Sequence, residues 1–201
     1  YIMDAAGGQR RPLTDNDADD KFPRVSPDGR KILFVSWRDG NQEIYVMNRD
    51  GRDQKRLTDH PADDELPAWS GAGRAITFQS NRDGGYDLYA MSIVGGEPQR
   101  LIESPEREGN TSWSVAGRLA YNADADGYWQ IYTADGDGGN TQRITESTYD
   151  EWSPEWSPDG QWLLFLSERD SRTNPGLYRM RPDGRDVSLI YNGPTLEWGA
   201  V

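Results

Sequence analysis

Residues 67–101, PAWSGAGRAITFQSNRDGGYDLYAMSIVGGEPQRL, hold four short segments of β character separated by Gly and Asp turns. Pro67 to Ser70 is closed by Gly71 and Gly73, and Ala75 to Ser80 alternates apolar and polar residues before stopping at Arg82-Asp83-Gly84. Tyr86 to Met91 follows, and a last segment ending at Arg100-Leu101 comes after Gly95-Gly96. Short runs with period two, bounded by turn formers, predict antiparallel strands joined by tight turns.

The rest of the chain repeats this stretch. Tyr1, Tyr45, Tyr89, Tyr132 and Tyr178 share one position at separations of 44, 44, 43 and 46. Val25, Trp69, Trp113, Trp156 and Trp198 share another, 44, 44, 43 and 42 apart, and Leu13, Leu57, Leu101, Ile144 and Ile190 mark the end of the fourth segment. The irregularities are local: one residue is missing between Gly117 and Tyr132, two are added in Ser171 to Gly176, and the loop Tyr191 to Glu197 is shortened. Four strands per repeat of this length predict an all-β fold, a β-propeller of four-stranded antiparallel blades, about five in this chain. In such a fold the anchor indole, with Phe78 and Tyr89, supplies the apolar area that one blade presses on the next, worth about 25 cal/mol per Å². Gly29, Gly73, Gly117 and Gly160 recur where a tight turn demands positive φ.

Ser26-Pro27-Asp28-Gly29, Ser157-Pro158-Asp159-Gly160, Arg38-Asp39-Gly40, Arg82-Asp83-Gly84 and Ile44-Tyr45-Val46-Met47 resemble the repeat of TolB-like β-propellers, and the resemblance covers nearly the whole chain. The pattern departs at Ser70-Gly71-Ala72-Gly73 and Ser114-Val115-Ala116-Gly117, which lose the Pro-Asp pair, and at Asp124-Ala125-Asp126, which replaces the Arg. Similar repeats occur in TolB, in tricorn-type proteases and in the propellers of prolyl oligopeptidases. The resemblance therefore implies an interaction scaffold in a periplasmic or secreted setting.

The 201 residues suit one domain, 1–201, because the shared repeat offers no boundary. No run approaches the length of a transmembrane helix. The absence of cysteine excludes disulfides, thiolate metal sites and cysteine nucleophiles. Tyr1 aligns with Tyr45 and Val201 with Ala72, so the ends supply strands one, three and four of a blade without its second strand. The expectation is a piece of a longer repeat array. It forms either a five-bladed ring completed by the C-terminal strand or an open arc whose strand edges favour self-association.

No catalytic set emerges. The single histidine, His60, lies in a loop beside Pro61, no Gly-x-Ser-x-Gly elbow occurs, and Ser114 and Ser157 read as strand-end residues bonding to backbone. A phosphate-cradling Gly loop with Lys is also missing. Asn122-Ala123-Asp124-Ala125-Asp126-Gly127 matches the first half of an EF-hand loop, but its twelfth place is Thr133 where a Glu belongs; Asp126 reads instead as the turn residue equivalent to Asp39 and Asp83.

Charge is distributed unevenly. Antiparallel strands alternate direction, so the loops between blades and those between strands two and three emerge on one side. These loops hold 20 of the 34 acids against six of the 22 Lys and Arg, and they account for most of the net charge of −12. Such a face repels nucleic acid, whose phosphates require basic residues, and steers basic partners toward it. Asp20, Asp64, Glu108 and Glu151 share one position, five residues before the anchor, and predict a carboxylate ring at the channel mouth with Trp152 beside it as a partner anchor. A Ca²⁺ ion held by Asp20, Asp64, Glu108 and Glu151 would relieve their repulsion, calcium accepting irregular oxygen ligation where zinc would need His or Cys. The expected function is non-enzymatic binding of a basic or cation-bridged protein or peptide. The alternative is the accessory propeller of a peptidase whose catalytic domain lies outside this chain.

Overall fold

The computed structural model describes residues 1–102 and 104–193. They form four four-stranded sheets, each a meander in which neighbours in sequence are neighbours in the sheet. Blade one comprises β1 (Asp20–Val25), β2 (Lys31–Ser36), β3 (Glu43–Asn48) and β4 (Lys55–Arg56). Blade two comprises β5 (Asp64–Trp69), β6 (Ala75–Ser80), β7 (Asp87–Ser92) and β8 (Gln99–Arg100). Blade three comprises β9 (Glu108–Trp113), β10 (Arg118–Ala125), β11 (Tyr128–Asp135) and β12 (Gln142–Arg143). Blade four comprises β13 (Glu151–Trp156), β14 (Leu163–Ser167), β15 (Gly176–Met180) and β16 (Ser188–Tyr191). All pairings are antiparallel. The first strands touch from blade to blade, β1 with β5, β5 with β9 and β9 with β13, whereas each fourth strand touches only its own third. The first strands are therefore innermost.

Side-chain alternation explains the stacking, since the middle strands are apolar on both faces. Leu33, Val35, Ile44 and Val46 of blade one meet Ile76, Phe78, Tyr89 and Met91 of blade two around Trp69. Leu88 meets Leu119 and Tyr121 in the second seam, and Ala120 and Ile131 meet Leu163, Phe165, Tyr178 and Met180 in the third. Full burial of a side chain of this size is worth about 1.5–3 kcal/mol, so the seams hold the array together. The anchor indoles also bridge blades by hydrogen bonds: Trp69 Nε1 donates to Arg24 O at 2.9 Å and Trp113 Nε1 to Thr77 Oγ1 at 3.1 Å. Gly29, Gly73, Gly117 and Gly160 adopt φ between 65° and 79°, as their turn position requires.

Two expectations are corrected. The described residues form four blades rather than about five, consistent with a truncated ring. Of the fifth, the N-terminal segment contributes a single antiparallel bridge, Ile2 with Arg11, in the register of Val46 with Lys55. Leu13 packs beneath it on Ile32, Phe34, Tyr45 and Met47. The strand expected around Trp198 lies outside the described residues. Among the described residues Val25 is 60% exposed. The second correction concerns the inner strand, which begins three residues before the expected Pro67, at Asp64, and so includes the acids assigned to the inter-blade loop.

Candidate functional site

Asp20, Asp64, Glu108 and Glu151 are the first residues of β1, β5, β9 and β13, so the structure places all four at the same end of the innermost strands. Each inner strand then breaks register through a bulge, with Phe22, Leu66, Asn110 and Ser153 at positive φ in equivalent places. A bulge re-aims the flanking side chains. Here the acid precedes it and turns back toward its own blade.

What each acid meets is the main finding. Arg82 Nη2 lies 3.0 and 2.8 Å from the two oxygens of Asp64 while its Nε donates to Ser80 Oγ at 3.0 Å. Arg169 pairs with Glu151 at 2.6 Å and with Ser167 at 3.2 Å, and Arg38 pairs with Asp20 at 3.4 Å and with Ser36 at 2.8 Å. Each guanidinium also stands over the third-strand tyrosine of its blade, 4.5 Å from Tyr45, 4.7 Å from Tyr89 and 4.6 Å from Tyr178. These arginines come from the loop between strands two and three, whose next residue, Asp39, Asp83 or Asp170, accepts a short hydrogen bond from the same tyrosine hydroxyl. Burial and the neighbouring carboxylate push the Tyr45 hydroxyl up to about 12.

Blade three departs from this arrangement. Ala123 stands opposite Glu108 where the other blades have serine, and Ala125 occupies the arginine position. Glu108 is fully buried; Ser104 donates to its Oε1, and Oε2 has no hydrogen-bond partner among the described residues. Burial, with Asp87 nearby, raises its pKa from 4.5 to about 7. Asp64 is raised as well, by burial, against the lowering effect of Ser80 and Arg82. In Asp20 the hydrogen bonds from Ser36, Asn16 and Thr14 and the charge of Arg38 together outweigh burial and lower the pKa.

The four carboxylates thus share a register without sharing a ligand sphere: among the described residues no three Asp, Glu or His side chains group as a metal site. The EF-hand-like string lies in β10 and the two-residue turn Asp126-Gly127; Asp126, at φ 56°, accepts from Arg143 at 2.9 Å. Trp152, expected as a partner anchor beside the acids, lies within β13 opposite Leu166 and is half-buried. His60 serves its own loop, its Nδ1 accepting from Ala62 N at 3.1 Å. Ser114 and Ser157 accept from Arg118 N and Trp162 N at 3.0 and 2.9 Å, which are turn bonds.

A second set escaped sequence reading. Glu43 and Asp87, buried on the third strands, are held by Arg56 and Arg100 at 2.7 Å each, while Gln130 occupies the same place in blade three. Arg56 also reaches Asp59 at 2.8 Å and Asp39 at 3.5 Å, so these fourth-strand arginines join the acidic loop face and offset part of its charge. The signal was an Arg preceding the fourth-strand Leu or Ile, at Arg56, Arg100 and Arg143. Further along the axis Arg24 and Glu155 bridge the first and last inner strands at 3.7 Å.

The sheets and their common inner acids define an open-ended β-propeller of TolB-type blades. The chain belongs to the TolB β-propeller domain family, whose model matches residues 1–119. Among solved structures it is similar to TolB from Acinetobacter baumannii, with 26% identity and a TM-score of 0.77 over 95% of this chain and 48% of that one. The putative TolB from Agrobacterium tumefaciens gives 22% and 0.72 over 90% and 84%. A puromycin-hydrolyzing peptidase from Mycobacterium tuberculosis gives 18% and 0.73 over 96% of this chain and 32% of that one, a likeness of fold. No curated protein matches the chain. Among the described residues no helix is long and apolar enough to cross a membrane.

Proposed function

We propose that this propeller is a non-enzymatic binding scaffold that takes a basic protein or peptide segment on the face where its inner strands begin. The observation that carries this reading is the residual charge of that face. The inner acids of blades one, two and four are compensated within their blades, whereas the exposed Asp15, Asp17 and Glu146 have no ion-pair partner among the described residues and Glu108 has no guanidinium. A negative surface on a rigid array raises the local concentration of a cationic ligand and speeds its association. Family membership supports a scaffold role, and with it a periplasmic or secreted setting. Cation bridging forms no part of this reading, because among the described residues the inner acids do not group as a metal site. The test is fluorescence anisotropy with Arg/Lys-rich, neutral and Glu-rich peptides of equal length. The basic set should bind, with affinity falling as salt rises; equal binding of the neutral or acidic sets would overturn the reading.

The likeness to the propeller of a puromycin-hydrolyzing peptidase, of which the chain covers 32%, supports a second reading as a peptidase's accessory propeller. A Gly-x-Ser-x-Gly hydrolase domain in the same open reading frame would establish it, and a frame without a hydrolase domain would remove it.

A further inference from the structure

The arginine clamp of blades one, two and four is a template against which blade three can be read. In each template blade a guanidinium sits between the first acid of the inner strand, a serine at the end of strand two, and the ring pair formed by the second-strand Phe and third-strand Tyr. Blade three retains the acid, as Glu108, and the ring pair, as Tyr121 and Tyr132, with centroids 5.5 Å apart and planes inclined by 24°. The cation and its serine partner are not encoded: Ser-x-Arg, present as Ser36-Trp37-Arg38, Ser80-Asn81-Arg82 and Ser167-Glu168-Arg169, becomes Ala123-Asp124-Ala125.

Among the described residues no other guanidinium forms an ion pair with Glu108. Arg100, the closest cation in its electrostatic effect on Glu108, is committed to Asp87 at 2.7 Å, Ile102 O at 3.1 Å and Ser104 O at 3.0 Å. Arg107 points outward to Asp124 at 2.8 Å and Arg143 to Asp126 at 2.9 Å. A carboxyl buried with one oxygen unpartnered is costly in either protonation state, and a charge-assisted bond is the strongest way to satisfy it.

We propose that blade three is an arginine-receiving subsite: the guanidinium of an arginine in a basic partner segment enters beside Tyr132, engages Glu108 and completes the clamp that the other blades complete from their own loop. This rests on the scaffold reading above and names its specificity element. The route is the one the template arginines reveal, since Arg38, Arg82 and Arg169 leave 23%, 13% and 23% of their side chains exposed on the loop face. In blade three the loop that would carry the cation is reduced to Asp126-Gly127, and Asp124 and Asp126 stand at the rim. Arginine is favoured over lysine because the slot offers a carboxylate edge together with aromatic faces, which a planar fork satisfies and a point charge does not.

The experiment compares the five-residue peptides acetyl-GGRGG-amide, its lysine counterpart and its citrulline counterpart. It uses isothermal titration together with the side-chain carbonyl ¹³C signal of Glu108 across pH. The arginine peptide should bind best and move the Glu108 titration to lower pH. E108Q, which keeps the shape, should weaken arginine-peptide binding about 10- to 100-fold, the range for a hydrogen bond to a charged group. The A123S/A125R double variant rebuilds Ser-x-Arg at the template spacing; it should raise Tm and abolish binding of the same peptide. Equal affinity for the arginine and citrulline peptides, or an E108Q affinity equal to wild type while basic peptides still bind, overturns the subsite and leaves the scaffold reading standing. Failure of wild type to bind any basic peptide overturns both.

Discussion

Removing Arg82 isolates the contribution of the clamp. Its side chain is 13% exposed and that of Asp64 fully buried, with two contacts of 3.0 and 2.8 Å between them and a third to Ser80. Arg82→Ala leaves a carboxylate inside the seam between blades one and two with no cation and strips the cover from Tyr89. Breaking one side of a buried pair costs about 3–5 kcal/mol, mostly the penalty on the stranded charge. At about 2–4 °C per kcal/mol for a chain of this size, differential scanning fluorimetry should show Tm lower by roughly 6–20 °C. Asp64→Asn in the same background removes the stranded charge and should recover more than half of that loss. Arg82→Lys, which keeps the charge but loses the fork, should fall between. The sign of the pH dependence follows from the same charge. Losing the cation raises the Asp64 pKa further, so protonation relieves the variant and its gap from wild type should narrow as pH falls. An Arg82→Ala protein melting within a degree of wild type, or one that Asp64→Asn does not rescue, would refute the assignment of stability to the clamp.

Glu108 should impose a signature of the same sign on the intact protein, because it too is a buried carboxyl with a raised pKa. Its pKa rises from 4.5 to about 7 on folding, so its contribution is fully present below pH 4.5 and is lost as pH climbs through 7, a fall of about 3 kcal/mol at 1.36 kcal/mol per pH unit. Chemical denaturation at pH 5 and pH 8 should show that decline in wild type and its absence in Glu108→Gln; equal slopes would reassign the titration. The flanking groups, Asp87 and Arg100, pair with each other at 2.7 Å. Trp69→Ala and Trp113→Ala should each cost about 3–5 kcal/mol in urea unfolding, whereas Arg52→Ala, with its side chain 84% exposed, should stay within about 0.5 kcal/mol. A Trp69→Ala protein as stable as wild type would contradict the seam. Millimolar Ca²⁺ should shift Tm no more than Mg²⁺, since the inner acids share no ligand sphere; a calcium-specific rise lost in Asp64→Asn would reinstate the mouth as a cation site.

Blade organisation was legible because it depends on spacing. The Tyr, Trp and Leu anchors recur at one interval: Tyr45, Tyr89, Tyr132 and Tyr178 fall in third strands and Trp69, Trp113 and Trp156 end first strands, whereas Leu57, Leu101 and Ile144 lie one residue past their fourth strands. The site was only half legible, for a reason visible in Arg-Asp-Gly. As a string it reads as a turn, and it is one: Gly40 and Gly84 adopt φ of 101° and 97°. Its other two letters act at a distance, Arg on the inner-strand acid 18 residues earlier and Asp on the tyrosine six residues later. Neither partnership shows in local periodicity. The carboxylates could be aligned from sequence, but their partners could not, so three acids held in separate clamps and a fourth without one resembled one shared ring. Once each clamp is known to need five parts, the substitution of Asp124-Ala125 for the expected Arg ceases to be repeat drift. It marks the one blade among those described that buries its carboxylate without encoding the cation for it, and in which a partner's side chain can complete the set.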